Sequence, residues 1–134
     1  HASVSTLAEP ILEQGDYFNT HIVKVVMDKL HNALYFSRAS IPWFRDAIDK
    51  HQFKDKAHCL TTCYKHIGIY AYRAKFIKHY FELEKSPLEA IESLEQLRVL
   101  WHGFKIQVAI TDIAAGVGVD TEQDLEKVRA LFSS

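Results

Sequence analysis

Between Thr62 and Tyr72 the chain alternates residue by residue: Tyr64, His66, Gly68, Tyr70 and Tyr72 share one parity, and Cys63, Lys65, Ile67, Ile69 and Ala71 share the other. Successive side chains on an extended strand point to opposite faces, so this pattern predicts a strand. Neither parity set is plainly built for water. Both faces are therefore covered, or one of them lines a site.

The rest of the sequence supplies partners for such a strand. Residues 3–8 read as a strand, followed by a connector over 10–19 with one helical turn, punctuated by Pro10 and Gly15. Ile22-Val-Lys-Val-Val-Met27 is rich in β-branched residues and predicts a strand. Asp28–Asn32 reads as a turn, and Ala33–Phe36 resumes extended character, so a hairpin is expected without the favoured Asn-Gly pair. Residues 45–61 are polar with no clear period and read as a surface excursion able to hold a short helix. Phe76, Ile77, Tyr80 and Phe81 fall at helical spacing within 74–83. Ser86-Pro87-Leu88-Glu89 is a helix start, with Ser as N-cap, Pro at N1 and Glu at N3. One helix is expected to follow, carrying Ile91, Leu94, Leu97 and Trp101 on a single stripe and ending at Gly103. Residues 105–110 alternate as a strand, Gly116–Val119 reads as a flexible loop, and Asp120 opens a last helix burying Leu125, Val128 and Leu131. Strand, hairpin, strand, helices, strand and helix suit an α/β fold, a layered mixed β-sheet flanked by helices.

Composition narrows the function classes. Lys plus Arg is 16 and Asp plus Glu is 17, a net charge of −1, which gives no general electrostatic claim on nucleic acid. Apolar residues make up 48% of the 134, which excludes disorder as the main state. No apolar run approaches the length that crosses a bilayer, so no membrane partner is expected. The chain opens on His1 in a pattern already resembling a strand, and its single Met is Met27; the expectation is that a segment precedes it. No basic region leads into a long apolar stretch, so no signal peptide is expected within these residues. Cys59 and Cys63, four apart on a strand, would stand roughly 13 Å from one another, beyond disulfide reach. Reduced thiols of a cytosolic protein are the plain reading.

Three groups of residues could carry chemistry. His58, Cys59, Cys63 and His66 are all zinc-ligand types, but their spacing lacks a tight knuckle and Cys63 and His66 point to opposite faces; packed cysteines and a histidine in a polar site are favoured over zinc. Asp120 follows Gly116-Val-Gly-Val119. Its plain role is a helix N-cap, which spacing alone favours; its sharper role is to offer a carboxylate to a phosphate-bound magnesium ion, since glycine permits close approach. Arg38, His66, Tyr70, Glu95 and Gln96 form the third group. Arg38 at a strand end could grip a carboxylate or phosphate with two parallel hydrogen bonds. The others suit a ligand with many hydroxyls, although each taken singly has an ordinary role on the surface or in the core. No nucleophile elbow and no Walker loop is present.

Five segments in order, Tyr35-Phe-Ser-Arg-Ala-Ser-Ile-Pro-Trp43, His66-Ile-Gly-Ile-Tyr70, Ser86-Pro-Leu-Glu89, Leu94-Glu-Gln-Leu-Arg98 and Gly118-Val-Asp-Thr121, closely resemble the CMP-Kdo synthetase family, the 3-deoxy-manno-octulosonate (Kdo) cytidylyltransferases. The resemblance runs from about residue 4 to the end. Ser40, where the family often has Thr, and the polar 45–61 stretch depart from it mildly. It implies a nucleotide-diphospho-sugar transferase-like fold, here the C-terminal part of a single cytidylyltransferase domain over 1–134. The family's N-terminal half, with the loop that cradles CTP and a metal-binding Asp, is not among these residues. The resemblance implies transfer of CMP from CTP to the anomeric oxygen of Kdo, with pyrophosphate released, for lipopolysaccharide synthesis. It further implies Asp120 as a Mg2+ ligand and catalytic group, and Arg38, His66, Tyr70, Glu95 and Gln96 facing Kdo. A cytoplasmic homodimer with CTP and Kdo as its small-molecule partners is implied as well. These 134 residues alone are expected to be inactive. The rival readings are a synthetase for another acidic sugar, such as a sialic acid, and a non-catalytic binding or dimerisation module.

Overall fold

The strand expected at 62–72 is the middle member of a five-stranded sheet. The structure, a computed structural model, describes residues 2–46, 48–49, 52–53 and 62–111. In chain order the elements are β1 (Val4–Pro10), α1 (Gln14–Phe18), β2 (Lys24–Met27), β3 (Ala33–Ser37), β4 (Ile48–Asp49), β5 (Gln52–Phe53), β6 (Tyr64–Tyr72), α2 (Ala74–Glu82), α3 (Pro87–Glu92), α4 (Leu97–Trp101) and β7 (Ile106–Ile110). The sheet runs β3-β2-β6-β1-β7. β6 is antiparallel to β1 and β2, while β1 and β7 are parallel. The fold is a mixed α/β sheet with helices, as expected.

One face of the sheet carries the main core. Val4, Ala8, Val25, Phe36, Ile106 and Val108 from the strands meet Phe76, Leu94, Leu97 and Val99 from the helical layer. Tyr64 and Tyr70 of β6 pack against this cluster. Ile11, Tyr17 and Cys63 form a second, smaller core, on which Phe44 and Ile48 rest. The Tyr17 hydroxyl donates to the Pro42 carbonyl at 2.6 Å and so ties α1 to the segment after β3. Lys65, of the opposite parity to Tyr64, pairs with Glu9 at 3.2 Å and with Asp16 at 3.3 Å.

The β2–β3 hairpin explains the missing Asn-Gly. His31 N donates to the Asp28 carbonyl at 3.0 Å, and His31 itself has φ +63°. The Asp28 carboxylate accepts from the Leu30 and Asn32 amides, each at 2.9 Å. A tight turn followed by one left-handed residue is an established hairpin loop, and His tolerates that conformation better than most residues. The turn reaches the far edge of the sheet: Val108 N donates to the His31 carbonyl at 2.8 Å, and the sheet is curled accordingly.

Two expectations are corrected. Where residues 45–61 are described beyond the turn at 45–46, they hold no helix but a two-residue antiparallel ladder between β4 and β5. Ile48 packs on the second core, which holds that segment against the protein. The single helix expected from Ser86 to Gly103 is two short helices. Ser93 takes the left-handed conformation (φ 56°, ψ 47°) and caps α3. That residue breaks the helical phase, so the four apolar residues do not share a stripe. Leu94 and Leu97 are buried, while Ile91 is 77% exposed and Trp101 52% exposed. Gly103, with φ +84°, follows α4 as expected of a helix terminator. The Gly116–Val119 loop and the helix opened by Asp120 lie outside the described residues.

Candidate functional site

His66 and Tyr70 stand on the same face of β6, as their parity predicts, with ring centroids 5.4 Å apart. Phe36 of β3 meets the His66 ring edge-on at 4.9 Å. The pairing of β1 with β6 slips between Thr6 and Leu7: Thr6 lies opposite Tyr70, but Leu7 lies opposite Ile67. Gly68 and Ile69 are thus left without a partner on β1. Such bulges re-aim side chains and leave carbonyls to be satisfied. The Thr6 hydroxyl fills this one, lying 2.7 Å from the Ile69 carbonyl, 3.3 Å from that of Ile67 and 2.9 Å from His66 Nε2. Burial pushes the His66 imidazole down to about 4, so it is neutral near pH 7. Burial also pushes the Tyr70 phenol up, helped by Tyr72, Tyr80 and the charge of Glu95.

Glu95 and Gln96 do not lie within a helix, as the sequence suggested, but at the joint between α3 and α4. Gln96 is the N-cap of α4 and is buried, whereas Glu95 is exposed. The Gln96 side chain makes no cap hydrogen bond. The joint is held by Glu89 and Arg98. Arg98 Nε donates to Glu89 Oε2 at 2.8 Å, and Nη2 donates to Oε1 at 2.6 Å. Glu89 also accepts from the Ser86 amide at 2.9 Å, completing the capping box expected from Ser86-Pro-Leu-Glu89. The Arg98 hydrogen bonds hold the Glu89 carboxyl down to about 2. Arg98 also lies over the Tyr80 ring, 5.1 Å from its centre. Tyr80 continues a line of rings through Tyr72 and Tyr70 to His66.

Arg38 follows β3 directly, two residues beyond Phe36. Its guanidinium is partly committed: Nε donates to the Glu92 carbonyl at 2.8 Å, Nη1 to that of Thr20 at 3.4 Å and Nη2 to that of Ser93 at 3.4 Å. A guanidinium has five N–H donors, so two remain for a ligand. The Glu92 carboxylate in turn accepts from Ser37 Oγ at 2.9 Å and the Arg38 amide at 3.0 Å. Burial opposes ionisation of Glu92, but these bonds and one from Tyr35 outweigh it and lower its pKa. Lys24 anchors the other side of the Arg38 backbone. Its fully buried ammonium donates to the carbonyls of Asn19, Ile22 and Arg38, at 2.8, 2.6 and 2.8 Å. An ammonium has three protons, and all three are used. Burial, with Arg38 nearby, lowers the Lys24 pKa.

The structure therefore joins His66 to Tyr70 and ties Arg38 to the end of α3 and its cap Ser93, two residues before Glu95. Sequence reasoning missed Thr6, Lys24 and Glu92. A lone Lys in the apolar run 22–27 was the signal for Lys24; nothing in the sequence marked the other two. Asp120 lies outside the described residues, as do His58 and Cys59. Cys63 is fully buried in the second core, and no group of three or more His, Cys, Asp or Glu among the described residues could hold a metal ion. A cavity of about 390 Å³ lies beneath the hairpin turn, lined in part by Met27, His31, Tyr64 and Ile110. None of the five described candidates lines it. No helix among the described residues is long and apolar enough to cross a membrane.

A neutral imidazole, a phenol, a carboxylate, a carboxamide and a partly engaged guanidinium suit recognition of a polyhydroxylated acid better than nucleophilic catalysis. The chain is similar to several known proteins. It is 54% identical over 127 residues to the 3-deoxy-manno-octulosonate cytidylyltransferase of Psychromonas ingrahamii, covering 95% of this chain and 50% of that protein. It is 52% identical over 132 residues to the 3-deoxy-manno-octulosonate cytidylyltransferase of Idiomarina loihiensis, covering 97% of this chain and 51% of that one. The chain thus spans about half the length of these relatives. A solved structure of CMP:2-keto-3-deoxy-manno-octonic acid synthetase complexed with CTP superposes with a TM-score of 0.72 at 39% identity, over 98% of this chain and 49% of that one. Residues 1–106 match the cytidylyltransferase family profile, and the chain belongs to that family.

Proposed function

We propose that this chain supplies the acceptor-sugar wall of a cytidylyltransferase that joins CMP, taken from CTP, to the anomeric oxygen of Kdo. The observation that carries the reading is the meeting of His66 with Tyr70 on one face of β6, on a chain with relatives named for that activity. In the reaction the anomeric hydroxyl oxygen attacks the α-phosphorus of CTP, its proton passes to solvent, and the bond from the α-phosphorus to the bridging oxygen breaks, its electron pair leaving with pyrophosphate. Such a transfer is mostly a matter of positioning and charge stabilisation. Arg38 meets the sugar carboxylate with its two remaining donors, while His66, Tyr70, Glu95 and Gln96 bind hydroxyls and fix the direction of the anomeric oxygen.

Magnesium enters this reading through Asp120 alone on this chain, where it would neutralise phosphate charge. Among the described residues no group of three or more His, Cys, Asp or Glu could hold it. The reading also takes the whole protein to be a cytoplasmic homodimer, which sedimentation of the intact protein and cell fractionation test.

The deciding experiment measures pyrophosphate release by the intact protein with CTP and Kdo. Release that depends on Kdo, and a KM for Kdo raised at least tenfold in Gln96→Ala with the KM for CTP little changed, is the expected result. Release only with a sialic acid, or none with any acidic sugar, overturns the reading.

A further inference from the structure

We infer that Thr6 is a positioning residue: it fixes the His66 imidazole as the Nε2–H tautomer and thereby reserves Nδ1 as an acceptor for a ligand hydroxyl. The argument is an inventory of protons. Thr6 Oγ1 has one proton and three polar neighbours: the carbonyls of Ile69 at 2.7 Å and Ile67 at 3.3 Å, and His66 Nε2 at 2.9 Å. Carbonyl oxygens only accept, so the hydroxyl proton goes to a carbonyl, and the shorter contact selects Ile69. The remaining contact, between Oγ1 and Nε2, is then attractive only if Nε2 carries the proton. A neutral imidazole with Nε2–H has a bare Nδ1.

The bulge creates this arrangement. A regular ladder would leave the Ile67 and Ile69 carbonyls to other partners, and Thr6 would have its proton free for His66. Because the pairing slips at Thr6, the two carbonyls face the hydroxyl and its direction of donation is set. Nδ1 makes no hydrogen bond among the described residues. An acceptor there favours a hydroxyl over a carboxylate, which has no proton to give. His66 then reads a sugar hydroxyl, and recognition of the acid falls to another group. That last step rests on the proposed function; the tautomer does not.

The test separates the two. The intact protein, labelled with nitrogen-15 at histidine and with no sugar added, is recorded near neutral pH in long-range proton–nitrogen spectra. His66 is assigned by the signals lost in His66→Gln. The wild-type chain and Thr6→Ser are expected to give the Nε2–H pattern, and Thr6→Val a shift toward Nδ1–H. An Nδ1–H pattern in the wild type, or an unchanged pattern in Thr6→Val, overturns the inference. Should Thr6→Val fail to fold, Thr6→Ala takes its place, and the same shift toward Nδ1–H is expected. No sugar is present, so failure of the proposed function leaves this result standing. In the intact protein, Thr6→Val is expected to raise the KM for Kdo about tenfold, and Thr6→Ser to restore it. Equal KM values in wild type and Thr6→Val would remove the role assigned to Nδ1.

Discussion

Arg98 grips Glu89 with two nearly parallel hydrogen bonds, Nε to Oε2 at 2.8 Å and Nη2 to Oε1 at 2.6 Å, across the break between α3 and α4. Both side chains are largely shielded, 15% and 6% exposed, so removing one partner strands a buried charge. Glu89→Gln and Arg98→Ala are each expected to destabilise the chain by about 3 kcal/mol. Urea unfolding of the two variants and the double variant checks this. The double variant should lose much less than the sum, because the second substitution removes a charge already unpaired.

Acid should weaken the fold in two windows. His66 has a folded value of about 4 against an ordinary 6.5, so the unfolded chain takes up its proton first. Its contribution is complete above about 6.5 and falls away as the pH drops toward 4, by about 3 kcal/mol. Glu89 is held at about 2 against an ordinary 4.5. Its contribution is present above 4.5 and disappears as the pH falls through 2. Unfolding free energies measured across this range should lose the upper slope in His66→Phe and the lower one in Glu89→Gln.

Lys24→Met should cost about 2 kcal/mol or more, because three backbone carbonyls lose a charged donor at once. Lys24→Arg is not expected to rescue it, since a planar fork cannot reproduce three bonds from one nitrogen. Denaturant midpoints of the two variants decide the point.

Glu92→Gln tests the hold on Arg38. The carboxylate accepts from both Ser37 and the Arg38 amide, and an amide in its place weakens these charge-assisted bonds. In the intact protein the KM for the acceptor sugar should rise roughly tenfold with the KM for CTP unchanged. Arg38→Lys should do at least as much, through loss of the two donors left for a ligand. Steady-state kinetics with each substrate varied in turn gives the answer.

Much of this was legible along the chain. Alternation over 62–72 marked β6, the β-branched run 22–27 marked β2, and Ser86-Pro-Leu-Glu89 marked a capping box that the structure forms in full. These are local signals, settled within a few residues of backbone. The break at Ser93 was not legible, because serine rarely takes a left-handed conformation and only the packing of Leu94 and Leu97 demands it. Nor was the role of Thr6, which depends on a slip in pairing with residues about sixty positions away.

The sequence by itself determined the strands of the main sheet, the alternation along β6 and the helix start at Ser86, since periodicity and capping act over short range. Only the tertiary structure decided which of the polar candidate residues meet, which donors Arg38 has left and which nitrogen of His66 bears the proton. Those outcomes depend on hydrogen bonds between segments that pattern and propensity cannot relate, because each bond exists only once the sheet and the helical layer have closed on one another.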